Sequence, residues 1–245
     1  MSPKSVVITG ANRGIGLGLV QQFVKDSNIQ RIIATARDVE KATELKAIQD
    51  PRIHVLPLTV TCDESIDTFV SKVAEIVGDD GLNLLVNNAG IAVKYDSRTQ
   101  PNRSAVTEQL DVNVVSVVLL TQKLLPLLIK ASGDTLSISH SAVINISSGQ
   151  GSIANNTGSG PLQNMIYRMS KSAVNQFTRT LAIDMKDEHI LAVSFAPGWV
   201  QTDMGGGNAP FTVEESTRKM VESFYQLGKE HNGGFYDREL KPVAF

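Results

Sequence analysis

The chain has 245 residues and a formal net charge of −2, with its basic residues scattered, which argues against a nucleic-acid or anionic-membrane surface. Its one cysteine, Cys62, excludes an intrachain disulfide and a cysteine metal site. His54, His140, His189 and His231 lie far apart without ligand-like spacing, so no metal is expected. The length suits one domain, 1–245, with a continuous core. The residues before the first apolar run do not read as a signal or transit peptide, and no stretch reads as long enough to cross a bilayer, so a cytoplasmic location is expected.

Val6, Val7 and Ile8 lead directly into Thr9-Gly10-Ala11-Asn12-Arg13-Gly14-Ile15-Gly16 and then an amphipathic segment: strand, glycine turn, helix. Glycines let the backbone turn tightly and approach a pyrophosphate, which the free N–H groups and the positive end of the helix can receive. The spacing is Gly-x-x-x-Gly-x-Gly, which alone is also compatible with a simple β-to-α turn.

A second strand, 31–36, ends about twenty residues past the last glycine, where an NAD-binding chain places an acid against the adenosine ribose. Ala36 and Arg37 stand there instead. A guanidinium fork suits a phosphate, and Arg13 adds a second cation near the same ribose, so NADPH is expected over NADH. Asp38 is expected to cap the next helix.

Further β-branched runs at 53–57, 82–87, 142–147 and 191–197 alternate with helical segments. Together with 6–9 and 31–36 they predict an α/β fold, a single Rossmann-type doubly wound parallel sheet with helices on both faces. The glycine-dense stretch 205–207 reads as a mobile loop.

Tyr167 and Lys171 are four residues apart in a segment that reads as helix, so both project from one face. Positive charge held beside a phenol lowers its pKa from about 10, which prepares a proton donor for interconverting a carbonyl and an alcohol. Tyr225 and Lys229 have the same spacing, so context must choose.

The ordered set of glycine turn, cation after the second strand and Tyr-Lys pair resembles the short-chain dehydrogenase/reductase family over nearly the whole length. Leu85-Val86-Asn87-Asn88-Ala89-Gly90 is similar to that family's Asn-Asn-Ala-Gly element. The resemblance gives Asn87 a structural role and brings Asn88, Ala89 and Gly90 near the cofactor. Asn113 resembles the helix asparagine that holds a water between the lysine and solvent. Ser148, with Ser147 as the alternative, takes the place of the serine that hydrogen-bonds the substrate oxygen. Only the Tyr167 pair follows such a strand. The segment from Pro197 and Gly198 through Val200 to Thr202 resembles the loop over the nicotinamide, with Thr202 placed to bond its carboxamide or a phosphate.

The resemblance implies carbonyl reduction with NADPH, Asn113, Ser148, Tyr167 and Lys171 forming the catalytic set. Gly10, Asn12, Arg13, Gly14, Ile15, Gly16, Arg37, Val60, Asn88, Ala89, Gly90, Tyr167, Lys171, Pro197, Gly198, Val200 and Thr202 would contact the cofactor. Thr59 replaces an aspartate common in the family, leaving Val60 to act through its backbone. The interval from Ser148 to Tyr167 is longer than usual, and the extra residues are expected to border the substrate mouth. Ile91, Ile153, Met165, Trp199, Met204 and Phe211 are expected to wall an apolar pocket for an aldehyde, ketone or quinone. Ala-Arg-Asp after the second strand and the ending Gly234-Phe235-Tyr236-Asp237 look most like the sniffer-type carbonyl reductases and bacterial C-factor proteins. A homodimer or homotetramer is the expected assembly; a signalling NADPH-binding protein and an NAD-linked alcohol dehydrogenase are the alternative readings.

Overall fold

The computed structural model describes residues 2–245. Among them lie seven strands: β1 (Ser5–Ile8), β2 (Arg31–Ala36), β3 (Ile53–Pro57), β4 (Leu84–Asn87), β5 (Ala142–Ile146), β6 (Leu191–Ala196) and β7 (Phe235–Asp237). They form one sheet in the order β3-β2-β1-β4-β5-β6-β7, every pairing parallel. The order reverses between β1 and β4, and the region beyond the carboxyl ends of the strands at such a switch point is where doubly wound sheets bind ligands. β7 is three residues long and was not anticipated, because so short a run carries too little periodicity to be told from a turn.

Alternation along the strands divides the core. Val6 and Ile8 face one side with α1 (Gly14–Val24) and α7 (Val213–Phe224), which supply Leu19, Phe23, Met220 and Phe224. Val7 faces the other with α3 (Asp63–Val77), α5 (Ser116–Ala131) and α6 (Met165–Asp184), which supply Phe69, Val73, Leu120, Leu124 and Leu181. A fully buried parallel sheet has two apolar faces, hence the nearly continuous apolar runs in the sequence.

One sequence expectation is corrected here. α4 (Arg103–Leu110), a π-helical turn (Asp111–Val115) and α5 run together as a 29-residue helix, Arg103–Ala131, with a window of mean hydropathy 1.9, so the chain does contain one stretch long and apolar enough to span a bilayer. That apolarity has a use within the fold: Val117, Leu120, Leu124 and Leu128 are buried, the last three in the core beside the sheet.

Asp38 does not cap a helix. Its Oδ1 accepts from the backbone N–H groups of Glu40 and Lys41, and its Oδ2 pairs with Lys41 at 3.0 Å, closing a turn ahead of the short helix α2 (Thr43–Lys46). The 205–207 segment is tied at its start, since Gly205 donates to Thr202 Oγ1 and its carbonyl accepts from Trp199 Nε1 at 2.7 Å.

Candidate active site

β1 delivers the chain into the glycine turn at the switch point. Gly10 and Gly14 hold φ of +63° and +55°, left-handed conformations that favour glycine. Gly16 is packed more tightly than either: a Cβ there would lie 2.3 Å from the Gly10 carbonyl oxygen. Asn88, just past β4, donates from Nδ2 to the carbonyls of Thr9 and Gly10 at 2.8 and 3.1 Å, while Thr9 Oγ1 accepts from the N–H groups of Asn88 and Ala89. Asn88 therefore shapes the turn through its side chain. Asn87 points to the other side, donating to Thr121 Oγ1 and to Asn145 Oδ1 and so joining β4 to β5.

Among the described residues no side chain caps the N-terminus of α1, although its first N–H groups lack intrahelical acceptors. Asn12, Gly14 and Ile15 stand at this end, which is chemically suited to an anion. Arg37 is exposed after β2, with no carboxylate partner among the described residues. Arg13, expected to add a cation near the ribose, pairs through its guanidinium with Asp203 at 2.7 Å on the surface. That contact, with the Thr202 methyl 3.3 Å from where a Gly14 Cβ would stand, lays the loop after β6 across the glycine turn. The same loop begins at Pro197, whose carbonyl accepts from Ser216 Oγ, and bends at Gly198 with φ of +86°. Val200 is buried and bridges to Phe211. Val60 is half-buried beside the core.

β5 and α6 bring the chemical groups together. Ser148 follows β5 and accepts from the Gln150 N–H at 3.2 Å. Lys171 is buried, and its Nζ donates to the Ile146 carbonyl at 2.8 Å while lying 5.7 Å from the centre of the Tyr167 ring. Asn113 sits in the π-helical turn with Nδ2 donating to Ile91 O and Ser170 Oγ, and Oδ1 accepting from Ile91 N. A Cβ on Gly90 would stand 3.2 Å from Asn113 Oδ1 and 3.7 Å from Lys171 Nζ, so this glycine marks where the two side chains converge. The structure thus collects Asn113, Ser148, Tyr167 and Lys171 around one region.

The electrostatics depart from the simple expectation. Burial pushes the Tyr167 phenol above its ordinary value, and hydrogen bonding with Ser148 pulls it partly back. Burial also pushes Lys171 down, to about 8. Desolvation outweighs any lowering of the phenol by the ammonium.

A stability signature follows. From about pH 8 up to the free lysine value of about 10.4, the unfolded chain carries a proton at Lys171 that the folded chain has lost, so folding stability rises with pH across that window. Below about pH 8 both states are protonated and the cost of the buried ammonium, on the order of 3 kcal/mol, is fully present. Urea unfolding of Lys171→Met should lack this rise, and a stability difference from wild type that stays constant over the window would refute the assignment.

Sequence reading missed two features. Gln109 is fully buried, its Oε1 accepting from Val93 N and its Nε2 donating to Ile91 O, both at 2.7 Å, so it fixes the irregular segment beyond Gly90 together with Asn113. The available signal was two amides four residues apart, Gln109 and Asn113, where a polar helical stretch gives way to an apolar one. The π-helical turn itself leaves no such mark; turns of this kind often occur at functional sites. The six residues expected to form one apolar wall do not do so. Ile153, Trp199 and Met204 are at least half exposed, and Phe211 lies under the Arg238 guanidinium at 3.6 Å. Tyr225 is remote from the set, its hydroxyl donating to Asp26 Oδ2 at 2.7 Å.

Comparison with known proteins identifies the family. Residues 4–211 match the short chain dehydrogenase family. The crystal structure of a Caenorhabditis elegans protein described as a candidate carbonyl reductase, Sniffer, is 64% identical, covers 100% of each chain and superposes with a TM-score of 0.94. The NADPH-bound carbonyl reductase from chicken fatty liver is 38% identical over 100% of each chain, with a TM-score of 0.95. Among curated sequences, the C-signal protein of Myxococcus xanthus is 32% identical over 67% of this chain and 93% of its own. The chain belongs to the short-chain dehydrogenase family.

Proposed function

We propose that the protein is an NADPH-dependent carbonyl reductase that converts an aldehyde, ketone or quinone to the alcohol. The observation that carries this reading is the convergence of Ser148, Tyr167, Lys171 and Asn113 beside an uncapped helix N-terminus at the sheet's switch point. NADP(H) fits the residues present: the α1 N-terminus and its glycines suit a pyrophosphate, and Arg37 is free to meet a 2′-phosphate while Asp38 is spent on its own turn. Bound there, the cofactor would supply the hydride. Tyr167 gives its proton to the carbonyl oxygen, and Ser148 steadies that oxygen as charge develops. Lys171 holds positive charge near the phenol, and Asn113 orders the adjoining backbone. The reading extends to one domain spanning 1–245, action in the cytoplasm on a small-molecule substrate, and assembly as a homodimer or homotetramer.

The test is NADPH consumption against a panel of aldehydes, diketones and quinones, run beside NADH and Arg37→Ala. Turnover with NADPH is expected, and the variant should lose about tenfold or more in NADPH affinity with little change for NADH, as befits one lost guanidinium–phosphate pair. Tight NADPH binding without turnover of any carbonyl would instead favour a signalling role, which the C-signal relative brings into view.

A further inference from the structure

A cavity of about 540 Å³ opens against the side of α6 turned away from the Tyr167–Lys171 face, and none of Asn113, Ser148, Tyr167 or Lys171 lines it. Its walls come from α6 through Met165, Arg168, Met169 and Ser172, and from the long segment between β5 and α6 through Gln150 and Ile153, with Ser97 closing one side. Its size falls in the range of pockets that hold small organic ligands. The extra residues between Ser148 and Tyr167 thus border this cavity, Asn156, Gly158 and Ser159 among them.

Arg168 is the one charged residue in the lining, and it is half-buried. Its Nε donates to Asn164 Oδ1 at 3.0 Å, and Asn164, itself buried, donates from Nδ2 to Gln150 Oε1 at 2.6 Å. This chain fixes the guanidinium plane. Its two terminal nitrogens have neither a carboxylate nor another acceptor among the described residues. A partly desolvated cation with an unpaired, oriented donor fork is suited to two parallel hydrogen bonds with a carboxylate. A phosphate monoester, carrying close to two charges, would find one cation where it favours several. Beside the fork the lining turns apolar, with Met165, Met169 and Ile153, the last two exposed by 50% and 71%. Methionine surfaces adapt to flexible apolar chains.

We propose that this cavity binds a carboxylate amphiphile, its head paired with Arg168 and its aliphatic tail laid along Met165, Met169 and Ile153. The site is distinct from the hydride-transfer site, and only the NADPH control and the substrate-displacement arm of its test rest on the function proposed above.

Dodecanoate titrated into the full-length protein by calorimetry tests it, with dodecanol as the uncharged probe. Dodecanoate should bind with a Kd at or below about 1 mM, and dodecanol at least about tenfold more weakly. Arg168→Gln should weaken dodecanoate at least about tenfold, and Arg168→Lys, which keeps the charge, should weaken it less. NADPH affinity serves as the folding control and should be unchanged in both variants. Equal affinity for the alcohol, unchanged binding in Arg168→Gln, no binding to wild type, or displacement of dodecanoate by a saturating carbonyl substrate would each overturn the proposal.

Discussion

Tyr167→Phe should lower kcat/KM for carbonyl reduction by about 10²- to 10⁴-fold, the usual contribution of a positioned general acid, while leaving NADPH affinity within a few-fold of wild type. The substitution keeps the ring in its packing and removes only the hydroxyl. Because burial holds the phenol above its ordinary value, the residue enters the reaction protonated throughout the neutral range, so the defect should be nearly constant from pH 6 to 8. Ser148→Ala removes one hydrogen bond to the oxygen rather than the proton itself, and its loss should be the smaller of the two. Tyr225→Phe provides the matching control: it deletes a hydroxyl that meets Asp26 far from the set, so activity should survive. Full activity in Tyr167→Phe would remove the general acid and with it the proposed reaction.

Much of this site was legible because its parts are coded locally. A glycine turn between an apolar run and a helix, an arginine where an acid would sit, and a tyrosine and lysine one helical turn apart all speak through short-range spacing. Strand boundaries followed from the same cause, since β2 and β3 fall where the sequence places them, β4, β5 and β6 differ by one or two residues at one end, and β1 is shifted by one residue. What escaped depends on long-range geometry. Arg13 meets Asp203 across 190 positions, and no local pattern pairs them. The electrostatic balance at Tyr167 also escaped, because spacing reveals the neighbouring ammonium but not how far both groups are withdrawn from water. The long apolar helix was not legible because polar residues within it, Asn113 among them, break up its apolar run, although Val, Leu and Ile dominate it from Val112 onward. The expected apolar wall failed for the reverse reason: composition identifies apolar residues but not the direction of loops that carry them.

Gly16→Ala should nearly abolish NADPH binding, with an expected loss of about 10²-fold or more, and it separates the turn's geometry from the chemistry of the site. A Cβ at this position would stand 2.3 Å from the Gly10 carbonyl oxygen, 2.6 Å from Asn88 Nδ2 and 2.9 Å from Ala11 Cα. Two of those three atoms belong to backbone that cannot swing aside, and the third is the amide that ties the turn to β4. Alanine in a helix gains up to about 1 kcal/mol over glycine, whereas overpacking costs about 1–3 kcal/mol, so the net stability change should be unfavourable but survivable. The larger damage falls on function, because relieving the clash moves the turn whose N–H groups would meet the pyrophosphate. Gly78→Ala tests the alternative that any glycine replacement is harmful: Gly78 has φ of +56° but open space around it, so stability should fall by about 1–3 kcal/mol through backbone strain with NADPH affinity intact. Should Gly16→Ala bind NADPH as well as wild type while remaining folded, the glycine turn would not be the pyrophosphate cradle, and the cofactor would have to lie elsewhere along the sheet edge.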